Sequence, residues 1–185
     1  MLQGDAGAQL RLIGATPSWR SLHLAMLAGS ALVIVGTWVR GLVHEGGNVP
    51  PLVCAMVLLS IGFAFNATNI AYMAGAGTRM AAMFAAGNAG VATIYEATHP
   101  IGQMFARFGN LLVAIAALLV AWVESRGPGR RFAAPLALVA ALCGLAGAAV
   151  DESSPFALAA VAAIVPWQLV TAVRAFRWNP DSDHE

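Results

Sequence analysis

Lysine is missing from this chain: all ten of its basic residues are arginine. Charge of either sign is scarce, at 10% of residues, where a water-soluble domain carries roughly a quarter. That shortage excludes an ordinary solvated surface. A net charge of +1 leaves no clustered basic face, which excludes nucleic acid as a partner. Aspartate occurs only at positions 5, 151, 181 and 183. Intramembrane hydrolysis needs several Asp, His or Ser groups converging at depth, so the sequence leans away from an enzyme. Cys54 and Cys143 both fall in apolar runs, without a Cys-x-x-Cys or Cys/His cluster. They are read as small hydrophobes, without a disulfide or metal role.

What remains is 59% hydrophobic, with mean hydropathy +0.72, and its apolar residues come in long blocks. A helix of about 20 apolar residues crosses a hydrocarbon core of ~30 Å. The runs LLVAIAALLVAWV and LALVAALCGLAGAAV do not alternate as barrel strands do. The expected fold is therefore all-α, a polytopic transmembrane helix bundle in contact with the lipid bilayer. Six spans are read: Leu22–Val39, Pro51–Met73, Met80–Tyr95, Ile101–Val123, Phe132–Val150 and Pro155–Phe176. The third is short and rich in Ala and Gly, so five spans result if it is re-entrant. Residues 1–18 form a polar N-terminal segment, 19–178 the membrane domain and 179–185 a polar tail, with both polar ends expected to fray.

Arginine accumulates on the cytoplasmic side of a membrane. The ESRGPGRR loop and the tail hold Arg126, Arg130, Arg131, Arg174 and Arg177, whereas DESSP between them has none. Counting back through six spans brings Arg11, Arg20 and Arg79 to the same side, leaving only Arg40 and Arg107 outside. Both termini are then cytoplasmic. Abundant arginine, alanine and glycine without lysine suit a GC-rich bacterial genome, hence a bacterial inner (cytoplasmic) membrane.

Small residues mark where helices in lipid approach closely. Ala81, Ala85 and Ala89, and again Ala140, Gly144 and Ala148, repeat every four residues as packing stripes. They would serve intramolecular packing, a partner subunit or a homo-oligomer.

The scarce polar groups gather in YEATHPIGQMFARFGN, residues 95 to 110. Glu96 and His99 are expected in the outer loop before Pro100, which would start the fourth span. Gln103, Arg107 and Asn110 follow at helical spacing on one face. Asn88 lies mid-way along the third span, and Asn66 and Asn69 lie on the second. Together these residues suggest a broken polar path across the membrane. A buried arginine costs roughly 2.5–3.5 kcal/mol on insertion scales and normally faces protein, although Arg107 is close enough to the outer end to snorkel. The asparagines also suit interhelical hydrogen bonding.

Three functions compete. One is transport or binding of a small polar solute or a proton through this track. A non-catalytic sensor or accessory subunit is the second. The third is a membrane redox protein with haem or metal between His44 and His99; no cofactor is required by the first two.

Overall fold

The computed structural model describes residues 5–43, 50–126 and 131–149. Within them every regular element is helical: α1 Ala6–Ala15, α2 Trp19–Val43, α3 Pro50–Tyr72, a π-helical turn Met73–Gly77, α4 Thr78–Ala85, α5 Val91–Glu124 and α6 Ala133–Ala149. Three helices are long and apolar enough to cross a membrane, Trp19–Gly36, Pro50–Ala85 and Val91–Glu124, and Ala133–Ala149 is a shorter apolar helix.

Pro50 and Pro51 open α3, where the missing N–H groups cost nothing. The helix does not end at Tyr72. The Met73–Gly77 turn carries it on into α4, with Thr78 Oγ1 donating to the Met73 carbonyl at 3.2 Å. The continuous helix of 36 residues is ~54 Å long. Its end is a Schellman closure: Gly87 N–H donates to Phe84 O at 3.0 Å, and Asn88 N–H to Met83 O at 3.1 Å. Gly87 takes φ +92, a value that glycine adopts without strain. The chain then reverses into α5, whose 34 residues run ~51 Å back along α3.

The pairing is antiparallel throughout. Leu52 and Leu59 share one buried cluster with Val113, Ala116, Val120 and Ala121. Higher up, Gly62 meets Gly109, and Asn69 meets Gly102. A Cβ on Gly109 would lie 2.6 Å from the Gly62 carbonyl oxygen, so the two backbones touch there. α6 lies along the lower half of α5, where Ala117, Ala140 and Ala141 are fully buried together. α2 flanks α3 and is tied to it by Trp38 Nε1 donating to Ser60 Oγ at 2.8 Å. Leu22, Leu24, Leu32, Val35 and Val39 on α2 remain exposed, as suits a helix facing lipid chains.

The structure corrects the span count. Met80–Tyr95 is not one helix: the turn at residues 86–90 interrupts it, so its first half completes the α3–α4 helix and its second half begins α5. Ala, Gly and a single Asn in AGNAG resemble a small-faced span in hydropathy, but they supply a helix stop and a tight turn. Only Ala81 of the expected third-span stripe is buried, Ala85 and Ala89 being exposed. The α6 stripe does pack, with Ala140 and Gly144 buried and Ala148 half-buried. Pro100 lies inside α5 rather than at its start, which frees the Glu96 carbonyl from its helical bond.

Residues 6–15 are likewise not frayed. Asp5 caps α1 by accepting from Gly7 N–H at 3.0 Å, and Leu10 and Ile13 are buried against the hairpin tip. Losing one crossing places Arg11, Arg20 and Arg79 at the tip end and Arg126 and Arg131 at the base end. The six-span reading has these five arginines on one side; Arg130, Arg174 and Arg177, which complete its partition, lie outside the described residues. The expected span Pro155–Phe176 and tail 179–185 lie outside the described residues.

Candidate functional site

On a helix of 3.6 residues per turn, positions 99, 103, 107, 110, 114, 117 and 121 of α5 form one lane. Its lower half is apolar and covered by α6. A Cβ on Gly144 would stand 3.0 Å from Ala114 Cβ and 3.4 Å from the Asn110 carbonyl. The upper half is His99, Gln103, Arg107 and Asn110, all half-buried. The opposite flank of the same crossing is aromatic: Phe65 stacks on Phe105 at 5.6 Å and meets Phe108 edge-on at 5.1 Å. The crossing is thus apolar on one side and polar on the other.

Within the polar half the contacts are specific. Gln103 Nε2 lies 3.0 Å from His99 Nε2. An amide N–H donates, so this ring nitrogen accepts and the proton resides on Nδ1. That Nδ1 is buried with no hydrogen-bond partner in the structure. The imidazole is stacked on Tyr95, centroids 4.8 Å apart and planes 13° off parallel. Below it, Asn66 Nδ2 donates to Asn110 Oδ1 at 3.3 Å across the helix pair. Asn69 is pressed against Gly102, and its Oδ1 is also buried without a partner. Tyr72 and Thr98 hydroxyls meet at 2.7 Å, closing the pair towards the tip.

The sequence-derived residues therefore divide. His99, Gln103, Arg107, Asn110, Asn66 and Asn69 converge on the α3–α5 crossing. Asn88 does not join them: it is exposed in the hairpin turn, because the segment expected to span is folded back there. Glu96 is exposed on the first turns of α5 and belongs to a helix, not to a loop. Arg107 is half-buried between Gln103 and Asn110 and is engaged with its surroundings. His44 lies outside the described residues, and among those described no three His, Cys, Asp or Glu side chains come together as a metal-ligand set.

Two features escaped the sequence reading. Tyr95, the end of the expected third span, is 2% exposed and forms the platform under His99; its spacing of four from His99 on a helix is the available signal. Glu124, read as part of a charged loop, ends α5 at 4% exposure, where only packing of α6 could reveal its burial.

Among the described residues the polar lane does not continue to the base. From Asn110 towards the base the interior is Val113, Ala114, Ala116, Ala117, Val120 and Ala121 against Leu52, Ala55, Met56, Leu59 and α6 alanines. Fourteen residues separate Asn110 from Glu124, a dry stretch of ~21 Å. Protein-family models, curated proteins and solved structures were compared with this chain, and none matches.

Proposed function

We propose that this is a multi-pass membrane protein, of a bacterial cytoplasmic membrane, that binds or carries a small polar or anionic solute, or a proton, entering from the hairpin tip. The carrying observation is that two buried polar atoms without a partner, His99 Nδ1 on α5 and Asn69 Oδ1 on α3, lie about one helical turn apart at the crossing, Asn69 facing Gly102; Trp19 Nε1, orphaned as well, lies on α2 away from the lane. An unpaired buried polar group costs about 1–3 kcal/mol, a penalty that a hydrogen-bonding guest would relieve. The His99 Nδ1–H and the Arg107 guanidinium donate and Asn69 Oδ1 accepts, which favours a polar guest with both acceptor and donor groups, such as a protonated oxyanion. A bare cation would meet Arg107 without a ring of carboxylates to offset it. The lacking lysine and abundant arginine and alanine support the bacterial assignment.

The span reading that goes with this function places the bilayer along the exposed apolar residues of α5, Ile101, Met104, Phe108, Ile115, Leu118 and Trp122. Ile101 to Trp122 covers ~32 Å, which matches the hydrocarbon thickness of ~30 Å. The tip, with α1, α4 and the first turns of α5, then stands outside it. His99 sits at the boundary, and Arg107 about 9 Å below Ile101.

Reconstituted protein should take up or bind one of a panel of probes (inorganic phosphate, short carboxylates, or protons read by a pH-sensitive dye). Arg107→Ala should abolish that activity while the protein stays folded and inserted. An Arg107→Ala protein indistinguishable from wild type would sink the reading. The dry lower half favours a second one: a sensor or accessory subunit needs a one-sided site and a tightly packed base, and no through-path. Binding without flux in the same liposomes would select it.

A further inference from the structure

We infer that α1 is a lid over the outer end of the polar lane, whose docking holds Tyr95 on His99. The inference deepens the reading of that lane as a binding site and rests on it for its purpose, though not for its geometry. Leu10 and Ile13 are 0% and 4% exposed. They share one buried cluster with Met73, Met80, Ala81, Val91 and Tyr95, with Trp19, Tyr72 and Phe84 packed against it. Tyr95 thus has two roles: its ring is covered by the α1 cluster and lies flat against the His99 imidazole. His99 in turn bonds Gln103, the next residue of the lane. A contact made by α1 therefore reaches the first polar group of the site through one side chain.

The attachment is of a kind that can open. Its apolar component is two large side chains on a helix of 10 residues. Gly7 allows close approach, since a Cβ there would stand 3.1 Å from Phe84 Cζ. The Arg11–Asp5 pair, at 3.3 Å, is internal to α1 and ties it to nothing else. Arg11 lies 5.9 Å from the centre of the Phe84 ring, at the edge of cation–π range. The link to α2 is Thr16, Pro17 and Ser18, short enough to keep α1 beside the tip when it lifts. While α1 is docked, the orphaned Nδ1 of His99 is shut from water. With α1 lifted, Tyr95 loses its covering and the imidazole becomes reachable from the tip.

The full-length protein tests this with Cys54 and Cys143 replaced by alanine. A Cβ on Gly14 would lie 3.9 Å from Ala81 Cβ, inside the range that a disulfide bridges. Gly14→Cys with Ala81→Cys therefore locks α1 down when oxidised. Leu10→Asp with Ile13→Asp forces it up, and Leu10→Ala with Ile13→Ala does so more gently if the charged pair impairs folding. The readout is carbethoxylation of His99 by diethyl pyrocarbonate, followed peptide by peptide and referred to the rate of His99 in the denatured protein. His99 should react at least about tenfold faster in the lifted variants than in the oxidised one, as a tenfold rise in open population requires. Reduction of the locked protein should raise the rate. Equal His99 rates in the locked and lifted proteins would overturn the lid. The readout needs no solute, so a protein without uptake but with this rate difference would refute the transport reading and leave the lid standing.

Discussion

At the scale of single residues, the α3–α5 crossing separates two kinds of close approach. On Gly109 a Cβ would meet the Gly62 carbonyl oxygen at 2.6 Å and the Asn66 side chain at 2.9 Å. Backbone cannot rotate away, so Gly109→Ala must push the helices apart and stretch the Asn66–Asn110 bond. Overpacking of this kind costs about 1–3 kcal/mol. On Gly102 the obstacle is Asn69 Oδ1 at 2.5 Å, the far end of a side chain that can turn. Gly102→Ala should therefore cost clearly less than Gly109→Ala in denaturation of the detergent-solubilised protein, and equal losses would refute this ordering. The same contrast shows what was legible here. Gln103, Arg107 and Asn110 could be placed on one face from their spacing alone. That Asn69 would face a glycine and keep an unpaired oxygen depends on which side of α3 meets α5, which spacing within one helix does not contain.

At the scale of elements, the hairpin turn decides how many times the chain reverses, and Gly87 decides the turn. Nothing lies within 4 Å of a Cβ built there, but its φ is +92. The cost of Gly87→Ala is then purely conformational, about 1–2 kcal/mol for an L-residue held in that region. Gly90, with φ −62 and ψ −20, can take alanine without strain, and the stiffer unfolded chain should leave Gly90→Ala neutral or slightly stabilising. Thermal unfolding of the two variants checks the pair; equal melting temperatures would contradict the turn. The apolar cores of α2, α3 and α6 were legible because long hydrophobic runs bounded by Pro or charge fix a helix to within a few residues. The fold-back was not, because Ala-rich segments on either side of AGNAG carry the same hydropathy as one continuous span. α1 was missed for the opposite reason: Leu10 and Ile13 are too few for a visible stripe, and only the tip gives them something to bury against.

At the scale of the whole molecule, one missing crossing reverses the relation between the N-terminal segment and the C-terminal end of α5. α2, α3–α4 and α5 are three passes between the N-terminal segment and residues 125–131, where six separate spans would have put four. Of the seven arginines in described helices and turns, Arg107 lies at the α3–α5 crossing, Arg11, Arg20 and Arg79 lie at the tip end, and Arg40, Arg126 and Arg131 at the base end. Away from the crossing, the described arginines are evenly divided and by themselves set no orientation. Single cysteines at Ser18, Gly87 and Ser125, in a protein whose Cys54 and Cys143 are alanine, make the geometry testable with a membrane-impermeant maleimide on sealed vesicles. Positions 18 and 87 should react from the same side, and position 125 only from the other. Reaction of positions 18 and 125 from one side would restore the extra crossing, break the α3–α4/α5 hairpin, and remove the alignment of Asn66 and Asn69 with the His99 lane on which the binding site depends.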